Sequence, residues 1–196
     1  MDRPFPRSPL PPRVVRYDTP TIVLHWITAA LVGLLWIIGQ TINLVPEGNL
    51  RIDYRSGHIL LGVVLAVVLI TRLIWRVLRG MALPPDRHRL LALAAKAIHW
   101  SLYLLLAATI VLGILNAWSH GEVIFNLFRL PAFGDRPLRR LISGWHALAA
   151  NAVLIVAGLH AAAALSHHYV LRDHVLVRMM PILRAQRGQA PQAQRR

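Results

Sequence analysis

Four stretches of the chain, residues 21–43, 57–78, 97–118 and 145–167, are almost continuously apolar, and none of the eight acidic residues falls inside them. Each is long enough to cross a bilayer, which takes about 20 residues. Between them run LVPEGNLRIDYRS, RGMALPPDRHRLLALAAK and SHGEVIFNLFRLPAFGDRPLRRLIS, with the Pro, Gly and charged residues typical of connections. Backbone polar groups in lipid must be satisfied within the spanning element, so the four stretches are expected to be helices. Short connections then make neighbours antiparallel, which predicts an all-α membrane protein, a four-helix up-and-down bundle. The apolar and aromatic segment VIFNLFRLPAF in the third connection is expected to lie at the interface or cap the bundle rather than form a fifth crossing.

The composition agrees with a polytopic membrane protein: of 196 residues, 56% are hydrophobic and only 15% charged. A formal charge of +14 would point to nucleic acid in a soluble domain. Here the arginines sit in short segments between apolar runs, so lipid headgroups are the simpler anionic partner and no nucleic acid is expected. Residues 1–16 are rich in Pro and Arg and lack the apolar core and cleavage site of a secretory signal, so they read as a disordered extension. Residues 182–196 are polar and Arg/Gln-rich and read as a disordered tail, leaving 17–181 as the membrane domain. Sixteen of the 22 Lys and Arg lie before the first span, from Arg72 to Lys96, or after the last span. The positive-inside rule therefore places both termini and the middle connection in the cytoplasm.

With no cysteine, the chain can hold neither a disulfide nor an iron–sulfur cluster nor a thioether-linked haem. Histidine is the remaining candidate ligand. His25, His58, His99, His146 and His160 lie within the spans or at their edges, where an ionisable side chain is costly and by default a functional hypothesis. A neutral imidazole hydrogen-bonded across the bundle is the alternative for any one of them. His146 and His160 are fourteen residues apart, about four turns and about 21 Å, so they face the same way but cannot share one ion. The topology supplies partners by depth: His25 with His160 near the cytoplasmic side, His58 with His146 near the periplasmic side. Two imidazoles without a carboxylate suit a metal that needs only axial ligands, and haem b meets that requirement because its porphyrin fills the other four positions. Structural zinc would want four protein ligands.

The fourteen-residue interval also relates His25 to Gly39, His58 to Arg72 and His99 to Gly113. It predicts a cytoplasmic layer of His25, Arg72, His99 and His160 and a periplasmic layer of Gly39, His58, Gly113 and His146. The glycines could let a flat macrocycle approach the backbone, or simply let helices pack closely. Arg72 and Arg76 could pair with haem propionates or extend to headgroups. His99 could replace His25 as a ligand, bond a propionate or line a quinone pocket.

TIVLHW in the first span, SGHILLGVVLAVVLITRLIWR in the second, HWSLYLLL in the third and WHALAANAVLIVAGLHAAAALSHHYVLRDHVLVRMMP at the end resemble the bacterial cytochrome b-561 family of diheme inner-membrane proteins. The likeness runs from about Tyr17 to Pro181, and its last block is the most specific. The resemblance implies two non-covalent, bis-His haems b on His25, His58, His146 and His160, held in the bundle in a bacterial inner membrane. It also implies electron exchange with the quinone pool, and superoxide oxidation coupled to ubiquinone reduction is an activity found in the family. For superoxide, Arg51, Arg55, Arg129, Arg136, Arg139 and Arg140 are the charges available for steering on the periplasmic side. The alternative is a haem-bearing membrane anchor that relays electrons for a separate dehydrogenase or hydrogenase, a redox partner protein.

Overall fold

The computed structural model describes residues 17–79, 89–172 and 176–180. The extension 1–16 and the tail 182–196 expected from the sequence lie outside these residues. Four helices make up nearly all of the described chain: α1 (Thr19–Thr41), α2 (Asn49–Arg79), α3 (Arg89–His120) and α4 (Arg136–Tyr169). All four are long and apolar enough to cross a membrane.

Asp18 sets the start of α1. Its carboxylate accepts the Thr21 N–H at 3.4 Å and the Thr21 hydroxyl at 2.7 Å, and Pro20 sits in the first turn, where no N–H partner is missed. The same carboxylate accepts the Trp75 indole N–H at 2.6 Å, which ties the start of α1 to the end of α2. Burial alone would raise the Asp18 pKa, but the bonds from the Thr21 side chain, Trp75 and the Thr21 N–H outweigh it and hold the carboxyl below its ordinary 3.8. Asp18→Ala should therefore cost about 1 kcal/mol as a lost cap, plus the Trp75 bond. A carboxylate with a depressed pKa stabilises fully above its unfolded value and loses that contribution as pH falls through the folded one. The difference in thermal stability between wild type and Asp18→Ala in detergent should accordingly shrink on acidification; a difference that widens would count against this cap.

Three helices begin about two turns before the apolar spans read from the sequence, at Asn49, Arg89 and Arg136 rather than at 57, 97 and 145. Backbone hydrogen bonding, not apolarity, decides where a helix begins, so polar first turns can stand outside the lipid. In α4 the signal is local: Gly134 takes a φ of +75°, Asp135 caps the Leu138 N–H at 3.0 Å, and Pro137 follows in the first turn.

Leu35 of α1, Leu65 and Leu69 of α2, Leu106 of α3 and Val153 of α4 form a buried core to which every helix contributes. Packing is closest within the α3–α4 and α1–α2 hairpins, and the two hairpins meet less extensively. Large apolar side chains point outward on every helix, among them Leu104 at 66% and Ile155 at 65% exposure. A soluble monomer rarely shows such a surface; lipid accepts it.

The third connection holds a two-stranded ribbon, β1 (Val123–Ile124) against β2 (Phe128–Arg129), turned through Phe125 and Asn126 at positive φ. Ser56, fully buried on α2, accepts the Phe125 N–H at 2.9 Å and donates to the Ile52 carbonyl at 2.7 Å. Arg55 grips both carboxylate oxygens of Glu122 at 3.1 Å. The ribbon thus caps the bundle over α2, and no fifth crossing is present among the described residues.

Candidate functional site

Each helix carries its candidate residues on one stripe that repeats every seven residues, with a drift of about 20° per repeat in a straight helix. The stripes read His25, Val32, Gly39 on α1; His58, Leu65, Arg72 on α2; His99, Leu106, Gly113 on α3; and His146, Val153, His160 on α4. Leu65, Leu106 and Val153 belong to the buried core and Val32 packs against it. A dry aliphatic layer therefore separates two polar ones, about 10 Å from each.

In one polar layer His58 and His146 face each other with ring centroids 6.3 Å apart and planes at 90°. His146 Nδ1 lies 3.0 Å from the Thr109 carbonyl, which can only accept. The ring proton therefore sits on Nδ1 and Nε2 keeps its lone pair for a metal. His58 Nδ1 is buried and makes no hydrogen bond. Two glycines give these rings their room. A Cβ on Gly113 would stand 2.9 Å from His146 Cε1, and one on Gly39 would stand 3.4 Å from His58 Cε1. The glycines thus face the imidazoles themselves, where the sequence suggested a macrocycle: the helical hairpins place Gly39 beside α2 and Gly113 beside α4.

In the other polar layer His25 and His160 also stand 6.3 Å apart between centroids, with planes at 79°. His99 is on the same level, 5.2 Å from His160. Arg72 does not extend away from the bundle: its Nη2 is 3.1 Å from His25 Nδ1. The Arg72 and Arg76 guanidiniums lie 5.6 Å and 5.8 Å from the Tyr103 ring centroid, and the Tyr103 hydroxyl is buried without a partner.

These features fit a pair of haems. Two imidazoles bound on opposite sides of one metal ion, at metal–nitrogen distances of about 2.0 Å, have ring centroids about 6 Å apart, and both pairs stand at 6.3 Å. Among the described residues no group of three or more His, Cys, Asp or Glu could hold a metal alone. The donor set suits a group that brings its own equatorial ligands.

Of the arginines considered for steering, two are already engaged by carboxylates: Arg51 bonds Glu47 at 3.1 Å and Arg55 bonds Glu122. Sequence reasoning missed the Arg55 pairing because Glu122 is 67 positions away. It also missed the Thr109 carbonyl, a main-chain acceptor that no residue type announces. The aliphatic layer was within reach, since halving the fourteen-residue interval lands on Val32, Leu65, Leu106 and Val153.

Residues 16–181 match the family described as prokaryotic cytochrome b561. The chain is similar to the probable superoxide oxidase CybB of Yersinia pestis, at 32% identity over 171 residues, 85% of this chain and 96% of that protein. It is similar as well to cytochrome b561 homolog 1 of Escherichia coli, at 31% over 172 residues, 85% of this chain and 97% of the relative. Cytochrome b562 of Cereibacter sphaeroides is 30% identical over 173 residues, 84% of this chain and 94% of its own.

Proposed function

The chain belongs to the prokaryotic cytochrome b561 family, membrane cytochromes b of electron transfer, and from that premise we propose that it holds two haems b, one in each polar layer. His58 and His146 would hold the outer, periplasmic haem, and His25 and His160 the inner, cytoplasmic one. Both termini lie in the cytoplasm of a bacterium and the bundle spans its inner membrane. Electrons pass between the layers and are exchanged with the quinone pool. The reaction is superoxide oxidation coupled to ubiquinone reduction: two superoxide anions leave as dioxygen, and the quinone takes up two electrons and two protons. The observation that carries the reading is the equal 6.3 Å separation of two imidazole pairs at two depths.

When bound, haem b would supply a one-electron carrier. The residues of the chain do the rest. The Thr109 carbonyl holds His146 in the tautomer that presents Nε2, and Gly113 and Gly39 leave the two outer imidazoles their positions. Leu35, Leu65, Leu106 and Val153 exclude water between the layers, so the path from one level to the other is open to electrons and closed to hydrated ions. At the inner level, His25 as an Nε2 ligand carries its proton on Nδ1. Arg72, which can accept nothing, would then release Nδ1 while its charge stays at that level. His99 lines the same level and would touch the cofactor without holding its iron.

Steering of superoxide falls to Arg129, Arg136, Arg139 and Arg140, since Arg51 and Arg55 are paired. The test is quinone reduction by purified protein in liposomes supplied with superoxide. Reduction should proceed without a second protein and slow as ionic strength rises. No reduction by the isolated chain, with a stoichiometric dehydrogenase co-purifying, would replace this reading with that of a relay subunit.

A further inference from the structure

The two polar layers differ in charge. Beside the inner imidazoles stand two guanidiniums, Arg72 with Nη2 3.1 Å from His25 Nδ1 and Arg76 next to it over Tyr103, and neither is in a described ion pair. Among the described residues, Asp18, which Trp75 ties to the same end of α2, gives its oxygens to Thr21 and Trp75 instead. Around the outer imidazoles the polar neighbours are neutral or balanced: His146 faces the Thr109 carbonyl, and Arg55, one turn from His58, is neutralised by Glu122.

Oxidised haem iron carries one more positive charge than reduced iron. A fixed cation a few ångströms away in a medium of low dielectric therefore favours reduction. We infer that Arg72, assisted by Arg76, raises the potential of the inner haem above that of the outer one, so that electrons entering at the periplasmic face come to rest at the cytoplasmic level. The inference rests on the two-haem reading above. Arg72 here is a positioning residue for charge: its hydrogens can move from His25 to another acceptor, but its charge stays in the layer.

A spectroelectrochemical titration of the purified full-length protein tests this. Wild type should show two one-electron waves. His146→Ala, which removes the outer ligand, should leave the wave of higher potential. Arg72→Gln should lower that wave by at least the equivalent of a tenfold change in electron distribution, about 59 mV for a one-electron couple, while Arg72→Lys should retain most of the high potential. Arg76→Gln, which leaves the His25 contact in place, should shift the same wave in the same direction and serves if Arg72→Gln fails to load the inner haem. Arg129→Gln, at the exposed outer ribbon, should move neither wave. Two haems with the inner one lower in potential, or an inner wave unmoved by both neutral variants, would overturn the inference alone. A wild-type protein with one haem per chain would overturn the two-layer reading and this inference with it.

Discussion

Alanine in place of His146 should leave a membrane-embedded protein with one haem where the two-layer reading gives wild type two, and alanine in place of His99 should leave both. The contrast follows from the two layers. His146 is half of a pair with His58, and among the described residues no third imidazole makes a ring contact with either. Its loss also removes the hydrogen bond to Thr109, worth about 1 kcal/mol, which a bundle held by a core from four helices survives. The His25–His160 pair lies about four turns away with the aliphatic layer between, so it should load as before. His99 sits 5.2 Å from His160, closer than a metal shared between two axial imidazoles allows, whereas His25 stands at the fitting 6.3 Å. His99→Ala should shift the band shape or potential of the inner haem without removing it. The reduced-minus-oxidised spectrum, scaled to protein, decides both cases; one haem in His99→Ala together with two in His25→Ala would exchange the roles of those residues.

Gly113→Ala should also empty the outer layer, although it adds a single methyl group. In an ordinary helix interior the change would be favourable by up to about 1 kcal/mol, because alanine is the better helix former. Here the new Cβ would meet His146 Cε1 at 2.9 Å, Nδ1 at 3.4 Å and Nε2 at 3.7 Å. The imidazole is the side that must yield, and turning it breaks its bond to the Thr109 carbonyl and takes Nε2 off the line to His58. Overpacking of this kind costs about 1–3 kcal/mol, which exceeds the propensity gain. The same change at Gly39 meets His58 Cε1 at 3.4 Å, a contact that a shift of a few tenths of an ångström relieves, so Gly39→Ala should keep two haems. The pair of variants separates a steric account from a general need for small residues. Equal haem loss in both, or none in either, would show that these glycines serve helix packing only.

The fold was legible because lipid leaves few options: four apolar stretches of crossing length, free of acids, admit little but four helices. What hydropathy could not mark was where each helix starts, since α2 and α4 open on polar turns and the signals are caps such as Asp135 and turn glycines such as Gly134. The site was legible to the extent that it repeats along the chain. The interval between His146 and His160, transferred to the other helices, grouped Gly39, Arg72 and Gly113 with the histidines that the structure sets beside them. What the glycines do there was not legible, because a missing side chain does not say which neighbour fills its space. The contacts of Arg72 and Tyr103 also lay beyond the sequence, since a guanidinium near a membrane surface has lipid, water and protein open to it and only the packing of α2 against α1 and α3 selects among them. The Arg55–Glu122 pair, which removes one charge from the outer surface, depends on a ribbon of two-residue strands too short to register as a pattern.

The ratio of haem to polypeptide in the purified wild-type protein, from the pyridine haemochrome and quantitative amino-acid analysis, tests the two-layer account most directly. Two b-type haems per chain is the result it predicts; one or none would contradict it.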